Sequence, residues 1–482
     1  MSKIYFHADI SCQEIKDIEN EYKSIDEHQL IDKASDYICK VITTKFSAKN
    51  KIIFLCGPGS NGLDGIYSAY KLLKHKYNVE LHLINDKNYQ FTQVLGLSEH
   101  LIKDFDCNSY DCIIDCMFGY GLNRILNQET IQLINKINSS SSFIISIDVP
   151  SGLDPTTGNL CPVSVKCNLL ISLLSYKRGV FTNFGRDTWI DIHYSDLNID
   201  KIKSENILVS ANPKFNGYFR VKEFKSNKVE SIHKKSNGIS CIISGQQPYH
   251  GAMLLAVTAA MKAGCKYLEV YTENEYAHTL PMIMPEVIAK QFSLNDFEKN
   301  ISNYKNILIG PGMNVLNNDY LEVIMNNLDK IDSVIVDAGA LKALKKNIYS
   351  KDKVIITPHP GEAAYLLNVD TKDIQYNRYE AAKLLHESYN CIVILKGSGT
   401  IIYDGERYIT CMDGNHRMSV AGMGDTLSGL LLYEMSLNQD NYEACLKATT
   451  FHSYAADCLL YESEIKNYLP SMIPDLYSNI TN

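Results

Sequence analysis

The chain has 482 residues, of which 45% are hydrophobic and 21% charged, as expected for a soluble protein with more than one globular domain. No segment approaches the roughly 18 consecutive apolar residues of a membrane span, and a net charge of −8 argues against nonspecific nucleic-acid binding. The fourteen cysteines lie mostly in apolar segments without a CxxC pair, so we expect reduced thiols, a cytoplasmic location and no structural metal site.

In chain order, the first half alternates short apolar strands with amphipathic helices. The N-terminal residues lack the pattern of a secretory signal, and we expect the mature chain to begin there. Predicted strands cover 51–56, 79–84, 112–115 and 143–148. Because helices separate these strands, the pattern predicts an α/β domain with a parallel sheet.

The second half repeats this alternation after a polar junction. Residues 201–238 are rich in Lys, Ser and Asn and show little helical periodicity. Strands are then predicted at 239–244, 306–309, 334–337, 354–357 and 391–395, and an Ala-rich helix at 252–263. The sequence therefore predicts two α/β domains, which we place at 1–213 and 225–482.

Polar residues follow three strands of the first half. The Gly-rich turn at 57–65 leads into a helix predicted at 66–76 and would let the backbone approach a phosphate, although such turns also occur only to pack a helix on a sheet. Two later strands end at Asp115 and Asp148, and the ends of parallel strands converge on one crevice. Asn61, Asp115 and Ser151 would form an all-oxygen site for a hard cation, and Asp148 could carry protons. Any one of these aspartates could equally be a helix cap.

Three motifs give the segment 4–198 a specific resemblance to an NAD(P)H-hydrate epimerase domain. The motifs are GPGSNGLDG at 57–65, DCMFGYG at 115–121 and DVPSGLD at 148–154. The family usually has GPGNNGGDG, DAxFGxG and DxPSGLD at these places. The chain therefore departs from the family at Ser60, which replaces Asn, and at Leu63, which replaces Gly.

This resemblance implies a Rossmann-like, doubly wound fold and a set of site residues. It implies that Asp148 is the acid or base and that Asn61, Asp115 and Ser151 contact potassium. The residues implied to contact the hydrated nicotinamide nucleotide are Ser60, Asn61, Gly62, Leu63, Asp64, Gly119, Tyr120, Gly121, Leu122, Asn123, Arg124, Ile125 and Asp148.

A second small-residue loop lies near the C-terminus, in the segment VAGMGDTLSG at 420–429. The backbone N–H groups of Gly422, Met423 and Gly424 at a helix N-terminus would hold a phosphate. Asp425 would then lie within reach of an attacking hydroxyl. The alternative is that Asp425 is an N-cap and that the glycines only form a tight turn.

From residue 234 nearly to the C-terminus, the chain resembles the ribokinase-like NAD(P)H-hydrate dehydratase family. The motifs that carry the resemblance, besides the loop at 420–429, are YHGA at 249–252, IGPG at 309–312, TPHPGE at 357–362, LKGSGT at 395–400 and GN at 414–415. Taken alone, His359 could be an ordinary turn histidine and Lys396 a solvated strand end. The chain departs from the family at Gly339, where a second Asp is usual, and at His416 and Arg417, which replace Pro and Gly.

The second resemblance implies a ribokinase-like α/β fold and two sets of ligand contacts. The residues implied to contact the hydrated dinucleotide are Ala252, Gly312, His359 and Asp425, with Asp425 catalytic. Those implied to hold the adenine nucleotide are Lys396, Gly397, Ser398, Gly399, Thr400, Asn415, Gly422, Met423 and Gly424. ADP is the expected phosphoryl donor, with ATP as the alternative and magnesium as its companion ion.

Together the two resemblances predict a repair enzyme for hydrated NADH and NADPH. The first domain would epimerise the R and S hydrates, and the second would dehydrate the S epimer at the expense of ADP, giving AMP and phosphate. We expect a cytoplasmic homo-oligomer that binds neither nucleic acid nor membrane. Two alternatives remain: the second domain could be a kinase of a small alcohol, because ribokinase-like folds host those too, and the first could be a noncatalytic ligand-sensing or scaffold module.

Overall fold

The computed structural model describes residues 2–9, 17, 29–122, 125–199, 206–215, 220–224, 238–314, 318–346, 350, 352–437, 440–461 and 468–481. Contacts divide the chain into two compact units. The N-terminal unit contains His7–Leu208 and Lys214–Phe219, and the C-terminal unit contains Met1–Phe6, Val209–Pro213 and Arg220–Asn482. The domain boundaries 1–213 and 225–482 remain a prediction from the sequence.

Strands and helices alternate through both units, as the sequence predicts. The strands are β1 (Ser2–Ala8), β2 (Lys51–Cys56), β3 (Asn78–Leu83), β4 (Cys112–Cys116), β5 (Phe143–Ile147), β6 (Cys167–Leu173), β7 (Trp189–Ser195), β8 (Ile207–Ser210), β9 (Arg220–Phe224), β10 (Ile239–Ile243), β11 (Leu268–Thr272), β12 (Ile288–Gln291), β13 (Tyr304–Ile309), β14 (Ser333–Val336), β15 (Val354–Ile356), β16 (Ile392–Leu395), β17 (Ile401–Tyr403) and β18 (Tyr408–Cys411). The helices are α1 (Gln29–Lys45), α2 (Ser60–Lys74), α3 (Tyr89–Val94), α4 (Gln128–Asn138), α5 (Arg178–Phe181), α6 (His250–Ala263), α7 (Asn274–Ile283), α8 (Leu294–Asn300), α9 (Asn318–Met325), α10 (Pro360–Leu367), α11 (Thr371–Tyr376), α12 (Arg378–Tyr389), α13 (Met423–Met435), α14 (Asn441–Tyr461) and α15 (Ile473–Thr481). Within the described ranges, no helix is long and apolar enough to cross a membrane.

The N-terminal unit is built on a six-stranded sheet in the order β3-β2-β4-β5-β6-β7. All five strand pairs are parallel. Its central strands are continuous apolar segments, such as KIIFLC in β2, because helices cover both faces of such a sheet. The order reverses between β2 and β4, and ligands of doubly wound folds bind at the carboxyl ends of strands at such a switch point. The predicted doubly wound α/β fold is confirmed.

The C-terminal unit contains most of a twelve-stranded sheet in the order β12-β11-β10-β13-β14-β15-β16-β17-β18-β8-β1-β9. The strands from β12 to β16 pair in parallel, whereas β16, β17 and β18 pair antiparallel. The strands after β18 come from residues that precede the predicted second domain. This sheet therefore recruits segments that the sequence pattern did not assign to it.

Close packing of α6 against α13 positions the small-residue loop of the C-terminal unit. A Cβ built on Gly429 would lie 2.1 Å from the Ala256 carbonyl oxygen, so no side chain fits at this crossing. Ala259 lies against the same position. Alanine and glycine here let the two helices approach closely, which fixes where the N-terminus of α13 lies.

Candidate functional sites

The Gly-rich turn between β2 and α2 packs tightly against the end of β4. A Cβ built on Gly57 would lie 1.6 Å from the Met117 carbonyl oxygen, and one built on Gly62 would lie 1.9 Å from the Gly57 carbonyl oxygen. Only glycine can occupy both positions. Helix α2 begins at Ser60 with Gly59 as its cap, and no side chain caps it. The helix N-terminus therefore opens at the switch point of the sheet, where an anion is favoured.

Asp115, at the end of β4, is buried and organises the neighbouring loops. Its carboxylate accepts hydrogen bonds from Ser151 N at 2.9 Å, Ser151 Oγ at 2.5 Å and Ser146 Oγ at 2.8 Å. Burial raises the pKa of Asp115, while these hydrogen bonds act in the opposite direction. Ser151 Oγ also accepts from Phe118 N at 2.9 Å. The predicted pair Asp115 and Ser151 therefore lies in direct contact.

Asn61 brings an unsatisfied oxygen to the same crevice. Its Nδ2 donates to the Ile147 carbonyl oxygen at 3.1 Å, whereas its buried Oδ1 has no hydrogen-bond partner among the described residues. A Cβ built on Gly119 would lie 3.3 Å from the Asn61 Cβ and 3.5 Å from Asp148 Oδ2. The strand-end residues predicted from the sequence thus converge, and a buried carbonyl oxygen without a donor favours a cation beside it.

Asp148 is held in an unusual position by a buried cation. Its backbone has a φ of +68°, in the left-handed region that non-glycine residues rarely adopt. Its Oδ1 accepts a short hydrogen bond from Lys177, whose side chain is only 2% exposed. Lys177 Nζ also donates to the carbonyl oxygens of Leu173 at 2.6 Å and Ser175 at 2.9 Å. One carboxylate oxygen of Asp148 is therefore fixed, and the other faces Gly119 and Asn61.

The remaining predicted residues of the first site lie on both sides of this crevice. Ser60, Asn61, Gly62, Leu63 and Asp64 form the first turn of α2, where Asn61 and Gly62 are buried. After Gly119, Tyr120 is half-buried, Gly121 exposed, Leu122 buried and Ile125 exposed, while Asn123 and Arg124 lie outside the described residues. Ile125 also lines an open cleft with Pro58, Phe118 and Asn127.

Sequence reasoning missed two supporting residues at this site. One is Lys177, which follows β6. The other is Asn88, whose Nδ2 donates to the carbonyl oxygen of Gly57 at 2.9 Å and so supports the Gly-rich turn. A polar residue near the end of another strand was the available signal for Lys177. Asn88 carried no such signal, because its partner is a backbone group from a distant turn.

In the C-terminal unit, the small-residue loop has the geometry of an anion site. Gly422 has a φ of +95° and is the N-cap of α13, with no side-chain cap. Asp425 stands in the first turn of the helix and is half-buried. The alternative in which Asp425 is itself the N-cap is wrong, because Gly422 occupies that position. The Asp425 side chain is thus available for another role.

Four charged side chains meet beside this helix terminus: Asp337, Glu362, Lys396 and Asp425. Asp337, after β14, accepts from Lys396 Nζ at 2.8 Å and from Ser428 Oγ at 2.7 Å. Lys396 Nζ also lies 3.9 Å from Glu362 Oε2. A Cβ built on Gly424 would be 3.1 Å from Lys396 Nζ, so the ammonium group lies against the first turn of α13.

The pKa values within this cluster separate its carboxylates into two kinds. Burial acts to raise the pKa of Asp337. The charge and hydrogen bond of Lys396 outweigh this effect and lower the pKa below its usual value. The pKa of Asp425 is instead raised to about 6, first by burial and then by the charges of Asp337 and Glu362, while Lys396 lowers it. A carboxylate with a pKa near neutrality is suited to accept a proton.

His359 forms the N-cap of α10. Its Nδ1 accepts from Gly361 N at 3.0 Å and from Glu362 N at 3.3 Å, while Glu362 Oε2 accepts from His359 N at 2.8 Å. This is a reciprocal capping box. Because Nδ1 is an acceptor, the neutral ring carries its proton on Nε2, and the side chain is 58% exposed. His359 is therefore both a cap and an exposed donor.

The other predicted contacts to the dinucleotide, Ala252 and Gly312, are neighbours. A Cβ built on Gly312, whose φ is +61°, would lie 3.3 Å from the Ala252 Cβ and 2.3 Å from the Tyr249 carbonyl oxygen. At the adjacent strand end, a Cβ on Gly310 would lie 1.7 Å from the Asp337 carbonyl oxygen. Glycines here let the ends of β13 and β14 and the start of α6 approach closely.

The predicted nucleotide loops are held by two buried side chains that sequence reasoning missed. Arg378 donates to the carbonyl oxygens of Leu395 and Lys396, each at 3.2 Å, and to that of Ser398. It thereby supports the loop of Gly397, Ser398, Gly399 and Thr400. Asp457 accepts from Asn415 Nδ2 and from Gly414 N, each at 2.9 Å.

The departures from the family pattern in this unit have different structural settings. A Cβ built on Gly339 would lie 1.9 Å from the Met313 carbonyl oxygen, so an aspartate does not fit there. Arg417 lies in the turn after Asn415 and donates its backbone N–H to Asn415 Oδ1 at 3.1 Å.

The two units match two family models. Residues 240–479 match the model described as NAD(P)H-hydrate dehydratase, and residues 27–179 match the one described as YjeF-related protein N-terminus. The bifunctional NAD(P)H-hydrate repair enzyme Nnr of Vibrio cholerae is 30% identical over 374 residues, which cover 77% of this chain and 74% of that protein. The Nnr of Coxiella burnetii is 26% identical over 90% of each chain. A crystal structure of ADP/ATP-dependent NAD(P)H-hydrate dehydratase from Bacillus subtilis, with ATP/Mg²⁺, is 27% identical, covers 52% of this chain and 92% of that one, and has a TM-score of 0.47.

Proposed function

Because this chain belongs to the family of bifunctional NAD(P)H-hydrate repair enzymes, we propose that its two units catalyse successive steps of that repair. The N-terminal unit interconverts the R and S epimers of hydrated NADH and NADPH. The C-terminal unit dehydrates the S epimer and consumes a nucleotide. The observation that carries this proposal is that each unit has its own carboxylate placed for acid–base chemistry: Asp148 directly after β5 in one unit, and Asp425 in the first turn of α13 in the other.

In the N-terminal unit, Asp148 moves the proton. Lys177 fixes one of its oxygens, so the other is directed at the crevice beside Gly119. The hydrated nucleotide lies across the Gly-rich turn, with its phosphates at the N-terminus of α2. The hydrogen bonds from Lys177 to the carbonyl oxygens of Leu173 and Ser175 keep its ammonium group beside Asp148, so the carboxylate keeps one orientation.

A potassium ion fits the oxygen atoms of this crevice. The described residues contain no cluster of three or more His, Cys, Asp and Glu side chains that could hold a metal, so the ligands would be neutral oxygens for the most part. Asn61 Oδ1 is buried without a donor and is the natural first ligand. Asp115 and Ser151 would complete the site from the neighbouring loops. The ion would supply positive charge close to the bound nucleotide.

In the C-terminal unit, Asp425 accepts the proton of the ring hydroxyl while this oxygen attacks the terminal phosphate of the nucleotide. The new bond joins the substrate oxygen to phosphorus, and AMP leaves when the donor is ADP. Phosphate then departs with its bonding electrons, a ring proton is lost, and the dihydronicotinamide is restored. The N-H groups of Gly422, Met423 and Gly424 and the ammonium group of Lys396 stabilise the charge on the transferred group.

The adenine nucleotide would occupy the loop of residues 396–400 together with Asn415. We propose ADP as the donor, accompanied by magnesium, and ATP as the alternative to be compared with it. Arg378 and Asp457 hold these loops in place before the nucleotide binds. We further propose a cytoplasmic homo-oligomer; the described cysteines are all free thiols, which suits a reducing compartment.

One assay tests the proposed function. Purified protein is given a mixture of R and S hydrates of NADH with ADP or ATP, and recovery of NADH absorbance is followed. Full recovery that depends on nucleotide supports both activities. Recovery that stops when the S epimer is exhausted would remove the epimerase assignment, and a stable phosphorylated product without NADH would instead indicate a kinase.

A further inference from the structure

Asp337 is buried where three elements of the C-terminal unit meet, and both of its carboxylate oxygens accept hydrogen bonds from side chains beside the proposed dehydration site. It is 1% exposed and follows β14. Its Oδ1 accepts from Lys396, at the end of β16, and its Oδ2 accepts from Ser428, which lies one turn after Asp425 on α13. The carboxylate therefore fixes the ammonium group of Lys396 relative to the helix that carries the proposed base.

The charges of the cluster give this arrangement a chemical consequence. Among the described residues, Lys396 is the cation of the cluster, and it interacts electrostatically with the carboxylates of Asp337, Glu362 and Asp425. An ion pair with Asp425 would stabilise the ionised carboxylate and weaken it as a base. The 2.8 Å contact with Asp337 holds Lys396 elsewhere, against Gly424, where positive charge faces the proposed phosphate position.

We propose that Asp337 is a positioning residue for dehydration: it holds Lys396 at the phosphate-binding turn and prevents this ammonium group from pairing with Asp425. This inference rests on the proposed function of the C-terminal unit. The groups that face Asp425 are Asp337 from β14, Glu362 from α10 and Lys396 from β16. The raised pKa of Asp425, about 6, agrees with a carboxylate that lacks a dedicated cation.

The test is the pH dependence of kcat/KM for the S hydrate at saturating ADP, measured for the full-length protein and for Asp337→Asn. In the parent, activity falls as the pH drops through about 6, because Asp425 becomes protonated. Without the charge of Asp337, Lys396 pairs with Asp425. The acidic limb should then move to lower pH, and the plateau rate should fall roughly tenfold or more because the base is weaker.

Two further variants separate positioning from general damage. Ser428→Ala removes the other hydrogen bond to Asp337 but no charge, so its acidic limb should stay in place. In a Lys396→Gln background, Asp337→Asn should cost much less than it does in the parent, because the cation through which Asp337 acts is absent. An equal loss in both backgrounds, or an unmoved or raised acidic limb in Asp337→Asn, overturns the proposal.

A folding defect or an inactive parent would also give a clear result. If Asp337→Asn does not fold, Lys396→Gln alone carries the test: kcat/KM should fall because the phosphate loses a cation, while the acidic limb should rise by less than about one pH unit, since Lys396 is not paired with Asp425. An unchanged kcat/KM, or a larger rise of the kind that loss of an ion pair gives, overturns the proposal. A parent protein that never restores NADH would refute the proposed function itself. If the parent is active and the variants show the same pH dependence of kcat/KM as the parent, only the role of Asp337 is refuted.

Discussion

Replacing Asp425 with asparagine should abolish dehydration without harming the fold. The side chain keeps its size and most of its hydrogen-bonding ability but can no longer accept a proton. Loss of a general base typically lowers the rate by roughly 10² to 10⁴. Epimerisation depends on Asp148 in the other unit and should be unchanged. Nucleotide affinity should stay the same or rise slightly, because one negative charge beside the phosphates is removed.

The raised pKa of Asp425 also predicts an effect on stability. The pKa rises from its ordinary value of 3.8 to about 6 in the folded protein, so the folded state binds this proton more tightly than the unfolded chain. The resulting destabilisation is absent below about pH 4 and fully present above about pH 6. Two pKa units correspond to at most about 3 kcal/mol. Near neutral pH, Asp425→Asn should therefore be more stable than the parent, by up to that amount.

The assay combines turnover with thermal unfolding. Dehydration of the pure S hydrate is measured with ADP, and the parent should retain only about a tenth of its plateau activity near pH 5, one unit below the pKa of Asp425. The melting temperature of both proteins is compared near pH 7 and near pH 4, where the advantage of the variant should disappear. A folded Asp425→Asn protein that kept turnover within about threefold of the parent would show that Asp425 is not the base.

Three further predictions concern the N-terminal unit and the division of the chain. Replacing potassium by lithium should slow epimerisation, because the smaller ion fits the oxygen atoms around Asn61 badly; equal rates in the two salts would contradict the cation site. Lys177→Met should abolish epimerisation and destabilise the protein by roughly 3 kcal/mol or more, because Asp148 loses its buried partner. Dehydration of the pure S hydrate by the same sample should continue and serves as the internal control. A fragment of residues 226–482 should restore only the S hydrate. Its melting temperature should be lower than that of a fragment that starts at residue 206, because the longer fragment keeps β8 beside β18. Consumption of both epimers by the shorter fragment would refute the assignment of the first half.

The sequence by itself determined the two α/β units and most of the strands that carry the sites. The segment KIIFLC predicts β2 with the bounds that the structure shows, and the apolar segments before Asp115 and Asp148 predict β4 and β5 within one residue. Such segments are recognisable because a strand covered on both faces must be apolar throughout. The glycines after them were equally informative, since close backbone contacts allow no side chain at Gly57 or Gly310.

Only the tertiary structure decided which distant groups meet. The predicted start of the helix after the Gly-rich turn was wrong by six residues, because α2 already begins at Ser60, within the turn. The placement of β1 beside β8, and of β9 beside β1, depends on pairing with far segments, which no local pattern encodes. The partners Lys177 for Asp148 and Asp337 for Lys396 were invisible for the same reason: a buried charge selects its partner by spatial proximity, and the fold brings together residues that lie tens of positions apart.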